Sequence, residues 1–203
     1  MTTKAEIEKA TAKIIEDLFS DGKGHPAELA ALRAAASLEA HQAQRIWPLL
    51  ARYWSAPMID KRGEITAEIL AIYTALRLYA IYQQGKYNPA TRRLLPVVGL
   101  EDQDGQSLMA VLAEVRQVEK IRAGLDRRMT HLLAAPNLSF VDNSLVRLIR
   151  IVKAQERTFK IDYPAIASDL WFFQKGYASA NRIRFKWGSE YYYRQSKDEE
   201  NHS

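Results

Sequence analysis

Apolar residues recur at every third or fourth position along most of this chain, which is the spacing that places them on one face of an α-helix. The pattern is most regular in residues 65–84 and 145–152. No segment alternates apolar and polar residues between hairpin turns, and no repeat of fixed period occurs. The sequence therefore predicts an all-α fold of about eight to nine helices, in two small bundles packed together.

Capping and breaking residues set the predicted limits of these helices. Gly124 interrupts the long helix that Ser107 opens, so we expect a break there and a new helix capped by Asp126. The predicted helices cover residues 3–20, 26–36, 41–54 and 65–84, a long segment from Ser107, residues 127–135, and segments that open at Asp142 or Asn143, at Asp162 and at Ser179.

Glycine and proline residues are frequent between residues 85 and 106, which is the longest interruption of the helical pattern. We therefore predict a seam there, with an N-terminal helical subdomain in residues 1–98 and a C-terminal basic one in residues 99–203.

Aromatic residues before this seam allow two interpretations. On an apolar helical stripe they are typical of the core, but exposed tyrosines can also stack on unpaired bases. The stripe favours packing in the core. The tyrosines concerned are Tyr73, Tyr79, Tyr82 and Tyr87, and we also expect Trp47, Leu50 and Trp54 in the core.

Positive charge is concentrated in the C-terminal half. Residues 120–194 hold fourteen Lys and Arg against six Asp and Glu, whereas residues 1–119 hold fourteen against fifteen. Such asymmetry indicates either a polyanionic partner or a solvated basic surface.

The helix around residue 150 shows how this charge is presented. Leu145, Leu148, Ile149 and Val152 share its apolar side. On a neighbouring side lie the cations Arg150, Lys153 and Arg157, with Arg147 at the edge. We predict that this row contacts the phosphates of a nucleic acid.

Motifs of catalysis are missing from the sequence. The chain has no cysteine, no His-Glu-x-x-His pair, no phosphate-binding glycine loop and no Gly-x-Ser-x-Gly. Its carboxylates are dispersed, without the pairs that a two-metal nuclease needs. There is also no signal peptide and no apolar run that could span a bilayer. We expect a cytoplasmic protein that is not an enzyme and has no cofactor or metal.

Four arginine-bearing or aromatic segments occur in an order that resembles a known family. They read R-R-M-x-x-L-L, L-x-x-L-I-R-I-V-K, I-D-Y-P-x-I-A-x-D-L-W-F-F and R-x-R-F-K-W-x-x-x-Y-Y, and A-x-L-R and W-P-L-L precede them. Over about residues 26–194 the chain resembles CasB, the small subunit of the type I-E CRISPR Cascade complex.

This resemblance implies a non-catalytic, all-helical subunit, present in two copies head to tail. It would lie along the crRNA-bound backbone subunits, near the large subunit, and help to hold the target strand and the displaced strand of the R-loop. Ala34 and Met109-Ala110 stand where the family pattern leads us to expect basic residues. The implied nucleic-acid contacts are Arg127, Arg128, Arg147, Arg150 and Lys153, followed by Arg33 and Arg116.

Two other functions are compatible with the residues. One is a helical adaptor whose basic face docks an acidic protein surface, and the other is an enzyme, such as a nuclease, with an unfamiliar site. For the pair Arg127 and Arg128 we also expect a structural role in part, with one of the two bonded to Asp126 or Asp169.

Overall fold

The structure, a computed structural model, describes residues 2–100 and 103–200, with side chains as far as residue 193. This part of the chain forms nine α-helices and contains isolated bridges but no strand, which confirms the all-α prediction. The helices are α1 (Lys4–Phe19), α2 (Pro26–Ala34), α3 (Trp47–Ala51), α4 (Ala67–Gln83), α5 (Leu108–Val115), α6 (Glu119–Leu133), α7 (Leu138–Lys153), α8 (Tyr163–Phe173) and α9 (Tyr177–Glu200). Short 3-10 turns cover Ser20–Gly22, His41–Ile46 and Ala56–Met58.

Side-chain caps begin several of these helices as the sequence predicts. The Ser107 hydroxyl accepts a hydrogen bond from the amide of Ala110 at 3.1 Å. The Asp162 carboxylate accepts one from Ala165 at 2.8 Å. Each bond satisfies an amide that has no partner within its own helix.

Two helix starts in the C-terminal half differ from the prediction. Helix α7 begins after Asn137, whose side chain accepts from the amide of Phe140 at 3.2 Å. Asp142 and Asn143 therefore lie within the helix, and the expectation that one of them caps it is wrong. Helix α9 begins at Tyr177, not at Ser179.

The predicted break at Gly124 is also wrong. Helix α5 ends at Val115, and α6 runs without interruption from Glu119 through Gly124 and Asp126. Asp126 lies within α6 and therefore does not cap a helix; its carboxylate accepts a hydrogen bond from Arg116 Nε at 2.6 Å. The carboxylate that the local sequence assigns to a helix cap thus makes a tertiary contact with Arg116.

Helix α4 is the centre of the molecule. It packs against α1, α2, α7 and α8, and it is buried on nearly every side from Ile69 to Gln83. Tyr73, Tyr79 and Tyr82 are at most 1% exposed, so they belong to the core and cannot stack on bases. Tyr87 lies beyond the helix and is 52% exposed.

The residues around α3 follow the prediction in part. Leu50 is buried and Trp54 is half-buried against the core. Trp47 is 42% exposed, so its assignment to the core is wrong. Its indole nitrogen donates to the Leu38 carbonyl at 3.2 Å, which holds the ring at the rim of a cleft and not in the interior.

Helices from both halves contribute to one hydrophobic cluster. Helices α1 and α4 pack on α8, α4 packs on α7, and α5, α6 and α8 pack on α9. The division at residue 98 remains a prediction. No helix in the described ranges combines the length and apolarity required to cross a membrane.

Candidate nucleic-acid interface

Helix α7 separates an apolar side from a charged side as its sequence pattern predicts. Leu145, Leu148, Ile149 and Val152 are fully buried, with 0% exposure each. Arg147 and Arg150 are exposed, and Lys153 is half-buried. Because the burial of the apolar residues fixes the rotation of the helix, the cations must face away from the core.

Three segments bring four cations together beside this helix. Arg33 comes from α2, Lys86 follows α4, and Arg150 and Lys153 lie on α7. The pKa of Lys153 is lowered by burial and by the positive charges of Arg33, Arg150 and Lys86. We call these four residues the cation cluster.

The polar contacts of the cation cluster are to neutral oxygens. Lys153 Nζ donates to the side-chain oxygen of Gln84 at 2.8 Å. Lys86 Nζ donates to the Gln155 carbonyl at 3.4 Å, and Arg33 donates to the Ala80 carbonyl at 3.4 Å.

No carboxylate neutralises the cation cluster within the part of the chain that the structure describes. The ion pairs found there involve other cations. Burial lowers the pKa of Arg33 and of Lys86, as expected for a cation that loses water without gaining a counter-charge. The cluster is therefore an uncompensated positive site, suited to anionic oxygens.

Arg127 and Arg128 lie exposed on α6. Arg128 donates to the Gly124 carbonyl of its own helix at 2.7 Å. The expectation that one of them binds Asp126 or Asp169 is wrong. Those two carboxylates are taken by other partners: Arg116 and Tyr191 hold Asp126, and Lys186 and Trp187 hold Asp169.

Arg116 is placed differently from the other candidate residues. Its side chain is 14% exposed, and it contacts both oxygens of Asp126, at 2.6 Å from Nε and 3.1 Å from Nη2. The rings of Tyr191 and Tyr192 lie within 5.6 Å of its guanidinium carbon. The hydrogen bond from Arg116 is the main cause of the lowered pKa of Asp126. Arg116 thus joins α5 to α6 and α9.

Arg157, which the helical pattern adds to the α7 row, lies beyond the end of the helix. It donates to Glu114 at 2.8 Å and covers the ring of Phe159 at 4.8 Å. The row on α7 itself is therefore Arg147, Arg150 and Lys153.

Comparison with known proteins places this chain in a family. A family model described as CRISPR-associated protein Cse2 matches residues 28–192, which is most of the chain. The chain belongs to the Cse2 family. Among solved structures, the crystal structure of CasB from Thermobifida fusca is similar, with a TM-score of 0.63 and 21% identity over 94% of this chain and 99% of that one. At this identity the likeness shows the fold alone. No curated protein matches significantly.

Sequence reasoning missed Lys86 as a member of the cation cluster. Lys86 follows Gly85, outside any helical pattern, so nothing in the sequence places it beside α7. The sequence gives Arg33 less support as a nucleic-acid contact than the C-terminal residues, yet the fold brings it to the same cluster as Arg150 and Lys153. Within the described residues, no group of three His, Asp or Glu could hold a metal ion.

Proposed function

We propose that this Cse2-family chain is a non-catalytic, nucleic-acid-binding subunit of a type I-E CRISPR Cascade complex, in which it stabilises target DNA paired with crRNA and the R-loop. The observation that carries the proposal is the cation cluster. Three separate segments supply Arg33, Lys86, Arg150 and Lys153, and the hydrogen bonds that these cations make within the described residues go to neutral oxygens.

Phosphate binding by such a cluster suits a subunit that serves any guide. Contacts to the backbone give affinity without sequence preference, and the affinity falls as salt rises. Exchange of a DNA duplex for an RNA–DNA duplex is nearly balanced in free energy, so modest backbone contacts can stabilise the open state.

The proposed contact set consists of the cation cluster and Arg147. Arg127 and Arg128 form a second exposed pair on α6. Arg116 is left out because a phosphate would have to displace the carboxylate of Asp126. We further propose a cytoplasmic location, with the backbone subunits, the large subunit and a second copy of the chain as protein partners.

The cluster is tested by replacing Arg33, Lys86, Arg150 and Lys153 with Ala. Binding to a fluorescent single-stranded oligonucleotide should weaken by at least tenfold for every sequence alike. The slope of log K against log salt should become shallower by roughly 0.7 for each lost contact to a single strand. Fluorescence anisotropy at several salt concentrations measures both quantities.

A matched control removes four other cations, Lys9, Lys13, Lys61 and Arg62. All four are exposed and lie outside the cluster. Equal loss of affinity in both variants would show that net charge, and not the cluster, governs binding. Binding to acidic proteins but not to nucleic acid would favour an adaptor.

In the assembled complex, the cluster variant should still incorporate but should form or keep the R-loop poorly. Native gels of the complex with labelled target DNA measure both steps. Normal R-loop formation by the cluster variant would contradict the proposed role.

We predict no cleavage of DNA or RNA with Mg²⁺ or Mn²⁺, because the described carboxylates form no cluster that could hold a catalytic metal. The purified chain is incubated with labelled strands and each metal. Metal-dependent cutting that a point variant of this chain abolishes would contradict the prediction.

A further inference from the structure

Helix α9 carries aromatic residues on its outer side as well as in the core. Trp187 and Tyr191 are buried, but Phe185 is 78% exposed, Tyr192 41% and Tyr193 65%. Large exposed aromatic side chains in a row are typical of a binding surface, because water contact with apolar rings is unfavourable.

The exposed rings border an open groove between α9 and α6, with a volume of about 590 Å³. Phe185 and Tyr192 are seven residues apart, which is about 10 Å along a helix axis. Between them lie Gly188, which has no side chain, and the small residue Ser189, and Leu133 of α6 lines the same groove. We call this space the α9 groove.

Its length matches the spacing of stacked bases. Successive bases in a nucleic acid rise by about 3.4 Å, so the axial separation of about 10 Å between the two residues corresponds to roughly two intervening bases. Stacking of bases on aromatic side chains needs little sequence information because every base has a flat face.

Charge around the groove favours a polyanion over an acidic or apolar peptide. Arg184 lines the groove and donates to the Ala135 carbonyl and to Asn181, both neutral acceptors. Arg182 is exposed one turn before Phe185. Among the side chains that the structure describes, those lining the groove include no carboxylate, and Glu190 of the same helix accepts a hydrogen bond from Ser107 at 2.7 Å.

We propose that the α9 groove binds unpaired bases of a single-stranded nucleic acid, which stack on Phe185 and Tyr192 while Arg182 contacts a neighbouring phosphate. This inference rests on the proposed nucleic-acid-binding function and deepens it. The cation cluster binds phosphates, whereas the α9 groove binds bases that are unpaired.

The test compares two single strands of equal length and charge. One is oligothymidine, and the other has the same phosphates with tetrahydrofuran abasic sites in place of bases. The wild-type chain should bind oligothymidine about tenfold more tightly in anisotropy titrations, as expected for stacking of one or two bases. Phe185→Leu and Tyr192→Leu should each reduce this preference to about twofold or less, with binding to the abasic strand unchanged.

Ser189→Leu should have the same effect, because it fills the groove while both rings and all charges remain. The matched control is Tyr177→Leu, which removes a ring that is 82% exposed on α9 but does not line the groove. Tyr177→Leu should prefer oligothymidine over the abasic strand as strongly as the wild type does. Ultraviolet crosslinking to oligothymidine should label the peptide containing Phe185 or Tyr192.

The outcomes separate this proposal from the proposed function. Equal affinity of the wild type for both strands, or a preference that survives Phe185→Leu and Ser189→Leu, would overturn the groove proposal while phosphate binding stands. Groove variants that keep the preference but no longer join the other subunits would also overturn it and show a protein interface. Loss of the cation cluster should weaken binding to both strands equally. Unchanged binding in that variant would contradict the proposed function, whereas a preference for oligothymidine that is lost in Phe185→Leu and Ser189→Leu would still support the α9 groove.

Discussion

Arg116 and Arg150 are both candidate phosphate ligands in the sequence, yet the structure gives them different surroundings. Arg116 is nearly covered and bonded to Asp126 at 2.6 Å. Arg150 is exposed on α7, beside Lys153 and apart from the described ion pairs. Only the second arginine can offer its charge to a partner without first giving up a carboxylate.

The difference follows from what each guanidinium meets when the helices pack. Arg116 lies against the rings of Tyr191 and Tyr192 on α9, where a buried charge would be unfavourable without the carboxylate of Asp126. The cation cluster lies at an open surface and keeps part of its hydration, so neutral oxygens suffice. Positive charge in a sequence therefore indicates a binding site only where no acid within the fold neutralises it.

The strongest contrast is expected within α7 itself, between its buried and its exposed side. Leu148→Ala should cost about 2–5 kcal/mol of stability, because it leaves a cavity next to fully buried neighbours. Arg150→Ala should change stability by less than about 0.5 kcal/mol. Urea unfolding of both variants measures the two values, and similar losses would contradict the assignment of the two sides.

The next contrast is between the two arginines. Arg116→Ala should cost about 1–3 kcal/mol, because it leaves a partly buried carboxylate of Asp126 short of its main hydrogen-bond donor. Its affinity for nucleic acid, counted per folded molecule, should equal that of the wild type. Arg150→Ala should instead keep the stability of the wild type and lose affinity for nucleic acid. Thermal unfolding measures the stability of both variants, and anisotropy titration measures their affinity for nucleic acid. A large loss of affinity in Arg116→Ala would show that Arg116 does contact the nucleic acid.

Local sequence was sufficient for the all-α class and for the inward side of α7, because apolar spacing indicates both. It was insufficient where a tertiary partner takes a side chain, as Arg116 takes Asp126 and Arg77 takes Asp142 at 2.6 Å. Both carboxylates were assigned to helix caps. The cation cluster was predictable only in its α7 part, because Lys86 reaches it through the packing of α4 on α7.

A smaller effect concerns how the stability of the fold changes at acid pH, and it depends on the hydrogen bonds of Asp126 to Arg116 and Tyr191. Hydrogen bonds from Arg116 and Tyr191 lower the pKa of Asp126 below its ordinary value of 3.8. The ionised form is therefore stabilised by folding, and this contribution is present above about pH 4 and lost as pH falls through the lowered pKa. Asp126→Asn should thus lose less stability between neutral pH and about pH 3 than the wild type does.

Urea midpoints at both pH values measure this change. Glu156→Gln is the matched control, since that carboxylate is exposed and outside the described ion pairs. If the stability of Asp126→Asn and of the wild type depended on pH in the same way, the hydrogen bonds to Asp126 would not stabilise its ionised form.

The smallest expected effect concerns the protonation of the cation cluster. Burial and the neighbouring charges of Arg33, Arg150 and Lys86 lower the pKa of Lys153 below its ordinary value of 10.5, and burial lowers the pKa of Lys86. A bound phosphate favours the charged amines, so affinity should fall as pH rises through these lowered pKa values. Affinity for the abasic strand, which has no titrating bases, should therefore fall as the pH is raised from neutral to about pH 9.5, below the ordinary lysine pKa.

Replacing Lys86 and Lys153 together with Arg should flatten this dependence while binding near neutral pH is kept, because a guanidinium stays protonated throughout the range. Both proteins share the same tyrosines and the same nucleic acid, so other titrations cancel in the comparison. The same fall of affinity in the Lys→Arg variant as in the wild type would show that these lysines do not contact the phosphates. The cluster would then have to be reduced to its arginines, Arg33 and Arg150, with Arg147 as their neighbour on α7.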